Sequence, residues 1–112
     1  MLSNKALNIV NCLDDEFEIQ PGEDTIDAGK AAITLLDEAL GDLKSGYIDF
    51  LVTAPLNKHN IKVEGVEFTG HTEYITRYFD VKESMMFLVD DTLRVGLVTN
   101  HVPIKDVVDK LN

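Results

Sequence analysis

The sequence has no tryptophan, one cysteine, three prolines and half as many cations as acids. A lone thiol, Cys12, cannot close an internal disulfide, and no Cys/His spacing suits a structural zinc knuckle. Cys12 therefore reads as a small, buried apolar residue. No apolar run approaches the roughly 20 residues of a membrane span, and the start has no signal-peptide pattern. Ten Lys+Arg against 20 Asp+Glu leave a formal charge of -10, so no overall positive field exists to hold nucleic-acid phosphates or anionic lipid. Nucleic-acid and membrane roles are excluded on this ground, and a cytoplasmic location is the expectation. The acidity is uneven: residues 1–46 carry a net -7 and residues 47–112 a net -3, so an anionic small molecule is better received by the second half.

What is present is 112 residues with 45% hydrophobic content, enough for one core but not for a two-domain enzyme. Residues 6–12 read as a short strand, followed by an acidic stretch and a Pro21-Gly22 turn. From Asp24 the apolar residues Ala28, Ala32, Leu35, Leu36, Ala39, Leu40 and Leu43 recur at intervals of three and four, predicting a helix. Asp24 or Thr25 can cap its start, Asp27 suits its positive end, and Lys44 with Gly46 ends it. Residues 47–54 are β-rich and almost continuously apolar, as in a strand covered on both faces, and Pro55 stops it. A helix followed directly by such a strand predicts an α/β fold with a mixed sheet and flanking helices.

Residues 57–65 are polar and predict a short helix and a turn; the spacing of Tyr74, Ile75, Tyr78 and Phe79 predicts another short helix. Residues 84–89 and 93–99 read as antiparallel strands, because three intervening residues suffice for a hairpin and not for a crossover. Pro103 fits a first helical position, with Ile104, Val107, Val108 and Leu111 forming an apolar stripe. The sequence then stops inside that helix without a stop signal, which reads as a truncation.

The chemistry-bearing candidates are few. His59, His71 and His101 alone have unperturbed pKa values near neutrality, and none shows short metal-ligand spacing. His71 stands in Thr69-Gly-His-Thr-Glu73 at a loop-to-helix junction, where free amides and the helix dipole favour an anion. There Gly70 permits close approach, and Thr72 either donates to a phosphate oxygen or merely caps the helix. His101, past the second hairpin strand, is either a metal-coordinating imidazole or an exposed loop residue. Lys58 is either an anion contact or a solvated lysine. Asp90 and Asp91 belong to a turn, and Met85 and Met86 read as core filling. There is no GxGxxG, Walker loop or nucleophile elbow, so no complete nucleotide site is encoded.

Four blocks occur in order: Val52-Thr-Ala-Pro-Leu-Asn-Lys58, Phe68-Thr-Gly-His-Thr-Glu-Tyr74, Met85-Met86 and Leu93-Arg-Val-Gly-Leu-Val-Thr-Asn-His-Val-Pro-Ile-Lys-Asp-Val107. Together they resemble the 4-hydroxythreonine-4-phosphate dehydrogenase (PdxA) family, from about residue 22 to residue 112. The resemblance implies an internal piece of a subunit whose fold is like that of isocitrate and isopropylmalate dehydrogenases, two α/β lobes meeting near residues 55–65. It implies that His71 and Thr72 bind phosphorylated substrate and that His101 is one of three histidines on a divalent metal (zinc, magnesium or cobalt). The other two have no counterpart here. The implied reaction is NAD-dependent oxidation and decarboxylation of 4-phosphooxy-L-threonine in vitamin B6 synthesis, carried out by a homodimer. Two other readings remain: a related dehydrogenase of 4-phospho-erythronate or threonate, and a non-catalytic association module. The NAD contacts are not assigned, and the isolated chain is expected to be inactive.

Overall fold

The computed structural model describes residues 6–14, 16–61 and 68–111. Its organising element is α1 (Ile26–Ser45), a 20-residue helix. Thr25 caps it, its side chain accepting from the Ala28 amide at 3.2 Å. At the other end Gly46, at φ 74°, takes the left-handed conformation that ends helices cheaply. The Gly46 and Tyr47 amides there donate back to the Leu43 and Asp42 carbonyls, at 3.2 and 2.9 Å.

A turn and a second helix pack on α1. Leu36 and Leu40 lie on the expected stripe and are buried, Leu40 completely, but Ala31 and Ile33 outside that stripe are buried too. The helix is thus covered on more than one side. Against its first half lies the turn at residues 58–60, held by a hydrogen bond in which the Asn57 side-chain Nδ2 donates to Asp24 Oδ1 at 3.1 Å. A Cβ on Gly29 would run into the Asn60 carbonyl, so the turn backbone sits where only a glycine leaves room. Against its second half lies α2 (His71–Tyr78). The Tyr74 hydroxyl donates to Asp37 at 2.6 Å, and the Lys44 ammonium sits 5.6 Å from the centre of the Tyr78 ring.

Beyond α2, β1 (Phe87–Val89) and β2 (Arg94–Gly96) form the expected antiparallel hairpin, pairing Leu88 with Val95. The Asp90 amide closes the turn on the Leu93 carbonyl at 2.8 Å. Both strands are shorter than the sequence predicts and exposed on both faces. Met85 is likewise exposed and Met86 half-buried, so they do not fill a core as expected. Pro103 precedes a 3-10 turn (Ile104–Asp106) that leads into α3 (Val107–Lys110), with Ile104 and Val108 exposed.

The mixed sheet is not formed. Among the described residues the only sheet is the two-stranded hairpin, and residues 6–12 and 47–54 form no strand, with bends at residues 6, 47 and 49. Their apolar content encodes burial, whereas a ladder also needs a neighbouring strand, and among the described residues none pairs with them. Leu7, Phe50 and Val52 are 89%, 77% and 83% exposed, and Cys12 is only half-buried. What is observed is an α/β arrangement of helices with one small sheet. The lobe junction expected near residues 55–65, and the second half of the helix-and-turn expected at 57–65, overlap residues 62–67, outside the described residues.

Two substitutions probe this packing. Alanine normally favours a helix over glycine by roughly 1 kcal/mol. Gly29→Ala should nonetheless lower the helical melting temperature followed by circular dichroism, because overpacking against fixed backbone costs about 1–3 kcal/mol. Tyr74 supplies a pH signature: its burial, then the hydrogen bond and charge of Asp37, push its hydroxyl pKa well above the usual 10. The unfolded chain loses this proton first as pH rises past about 10, so stability is intact below that pH and falls above it. Tyr74→Phe should cost about 1 kcal/mol at neutral pH and flatten the alkaline loss, as read from melts at successive pH values.

Candidate functional site

The start of α2 is built without a side-chain cap. Gly70 is the N-cap residue, extended at φ 166°, and no side chain caps the helix there. The first turn closes when the Tyr74 amide donates to the Gly70 carbonyl at 3.1 Å. The amides of His71, Thr72 and Glu73 come before that bond and have no acceptor within the helix, so the positive end of the dipole is open. Thr72 is therefore not the cap that one sequence reading allowed. It is the second helical residue, and its carbonyl accepts from the Thr76 hydroxyl at 2.7 Å.

Glu73, the third helical residue, is the member of the site that the sequence reading passed over. Its carboxylate turns back toward Gly70: a Cβ there would lie 2.7 Å from Glu73 Oε2 and 3.5 Å from Lys58 Nζ. Gly70 thus matters for space rather than backbone torsion, and Lys58 reaches the helix start from the neighbouring turn. The other carboxylate oxygen, Glu73 Oε1, lies 3.8 Å from His101 Nε2, with side chains 41% and 81% exposed. The usable signal was positional, since an acid three residues after an N-cap is where a capping-box carboxylate folds back.

His101 follows β2 with φ 54°, a left-handed backbone uncommon outside glycine. The loop it occupies faces α2 across an open cleft of about 590 Å³, bordered by Thr72, Glu73, Thr76, Asn100 and His101. His71 goes elsewhere. Its ring meets Phe68 edge-on at 5.7 Å and borders a second, largely apolar cleft with Ala32, Leu36 and residues 51–54. Thr72 and His101 thus border one cleft and His71 another. His59 sits in the exposed 58–60 turn.

As a cation site the cleft is partial. Among the described residues no group of three His, Cys, Asp or Glu side chains converges. His101 offers one imidazole donor beside one carboxylate, whereas a divalent metal bound by protein takes three or four donors. These residues can contribute to such a site but cannot hold a metal by themselves. Among the described residues, no helix is long and apolar enough to cross a membrane.

The family model described as "Pyridoxal phosphate biosynthetic protein PdxA" matches residues 2–112. The chain belongs to the PdxA family. The match begins some twenty residues earlier than the motif blocks alone suggest. A 4-hydroxythreonine-4-phosphate dehydrogenase of Bacteroides thetaiotaomicron is 43% identical over 102 residues, 90% of this chain and 28% of the relative. One from Sulfurihydrogenibium is 32% identical over 91% of the chain and 31% of the relative. One from Burkholderia vietnamiensis is 43% identical over 74% of the chain and 27% of the relative. The chain thus spans less than a third of the length of these PdxA relatives. No solved structure matches it.

The Gly70–Glu73 contact can be checked directly. Because a flexible carboxylate can move aside, Gly70→Ala should change stability by less than about 0.5 kcal/mol. The same substitution should displace Glu73 from His101, seen as shifts of the His101 ring resonances by NMR. A large loss of stability with unchanged ring resonances would contradict this account.

Proposed function

We propose that this chain is the part of a 4-hydroxythreonine-4-phosphate dehydrogenase that contributes to its substrate and metal sites. The whole protein would oxidise and decarboxylate 4-phosphooxy-L-threonine with NAD, in pyridoxal 5'-phosphate synthesis, as a cytoplasmic homodimer. The observation that carries this reading is the shared cleft of Thr72 and His101 at the uncapped start of α2, in a chain of the PdxA family.

In this reading His71 and Thr72 head the helix that receives the substrate phosphate. Their free amides and the Thr72 hydroxyl donate to its oxygens, and Lys58 adds positive charge from the adjoining turn. Glu73, as a like charge beside that anion, keeps its carboxylate on the His101 side. His101 contributes one donor to a divalent metal whose other ligands lie outside this segment. When bound, the metal makes the substrate alcohol more acidic, and NAD supplies the hydride acceptor. With only part of the donor set, the isolated chain is expected to be inactive.

Two assays test this. The isolated chain with NAD, a divalent metal and 4-phosphooxy-L-threonine should give no NADH absorbance. Substituted for the matching segment of the Bacteroides relative, it should support NADH formation. In that chimera, His101→Ala should lower metal content and cut turnover by about 10–100-fold. Thr72→Ala should raise KM for the phosphorylated substrate while metal is retained. A folded chimera that makes no NADH, or that keeps its metal without His101, overturns the reading.

A further inference from the structure

Of the titratable side chains at the start of α2, Glu73 is the one whose carboxylate faces both halves of the candidate site. Its Oε2 would lie 2.7 Å from a Cβ on Gly70, a point 3.5 Å from Lys58 Nζ, while its Oε1 lies 3.8 Å from His101 Nε2. An acid at the third helical position commonly folds back to cap its helix. Here it does not: among the described residues no amide donates to the Glu73 carboxylate. The helix dipole accounts for an acid in this turn but not for where its two oxygens lie.

His101 is a side chain that needs such a neighbour. It is largely exposed, it leaves the backbone of a loop residue at φ 54°, and among the described residues Glu73 is the one acid in ion-pair contact with its ring. An imidazole without a fixed partner rotates and carries its proton on either nitrogen, whereas a metal-binding imidazole must present an unprotonated nitrogen in a fixed direction. Carboxylates commonly settle both by accepting the proton of the other nitrogen. A separation of 3.8 Å is beyond a hydrogen bond. Contacts of this kind tighten when the ligand arrives, and both side chains are exposed enough to turn.

We infer that Glu73 is the positioning residue of His101: its Oε1 accepts the Nε2 proton, which leaves Nδ1 as the atom that takes a divalent cation. The inference rests on the proposed metal role of His101, and adds to it the nitrogen used and the carboxylate that selects it.

Ring-nitrogen NMR on the 112-residue chain tests this, at a pH where His101 is neutral. The Nδ1-protonated form of His101 should be negligible in the parent chain and should appear in Glu73→Ala, with the helical circular dichroism unchanged. Glu73→Gln, which keeps an acceptor oxygen, should largely restore the parent tautomer. Zinc ion in large excess should shift the His101 resonances of the parent chain as a ligand through Nδ1, and should bind there about 10–100-fold more weakly in Glu73→Ala. A merely structural role at the helix start would alter the dichroism and leave the tautomer alone. Zinc on Nε2 of the parent chain, or the same tautomer with and without Glu73, overturns the inference. Either result leaves the His101 assignment standing, which the metal content of the chimera decides; a chimera that keeps its metal without His101 removes that assignment whatever the tautomer.

Discussion

The hydrogen bond between Tyr74 and Asp37 is the interaction on which the candidate site depends. At 2.6 Å, with the phenol half-buried, it ties the second turn of α2 to the middle of α1. Tyr78, one turn further along, lies near Gly41 and under Lys44, so the two contacts set the height and rotation of α2 along α1. Fixing that rotation decides which side chains flank the helix start. Thr72 and Glu73 are turned toward the loop after β2, and His71 toward Phe68 and the apolar cleft.

The local chemistry of the helix ends was legible in the sequence because caps act over three or four residues. Thr25, Asp27, Lys44 and Gly46 all take the roles their types suggest, and the hairpin follows from a connection too short for anything else. The strands expected at residues 6–12 and 47–54 were not recoverable in the same way. Strand pairing is decided by what lies alongside, and apolar content states only that a segment seeks cover. The same distinction explains the histidines. Sequence placed His71 at a helix start and His101 after a strand, both correctly, but which way each ring points depends on α2's rotation against α1, a long-range contact. Glu73 was overlooked because a single acid in a first helical turn has an ordinary explanation in the helix dipole.

Electrostatically the cleft is a compromise. Free amides at the start of α2 and the nearby Lys58 ammonium make it attractive to an anion, and the Glu73 carboxylate occupies the same neighbourhood. A helix start with a carboxylate nearby releases less free energy on receiving an external anion than one without it.

The core explains how the molecule comes apart. Leu40 is the one fully buried large side chain among the described residues, and the other buried apolar side chains are few: Ala31, Ile33 and Leu36 on α1, and Ile61 after the 58–60 turn. Heat should dismantle such an architecture in pieces: the hairpin and the extended arms loosen independently, while α1, α2 and the turn between them hold as a unit. No single free energy then describes the chain, and its cooperativity is a property of that helical unit alone.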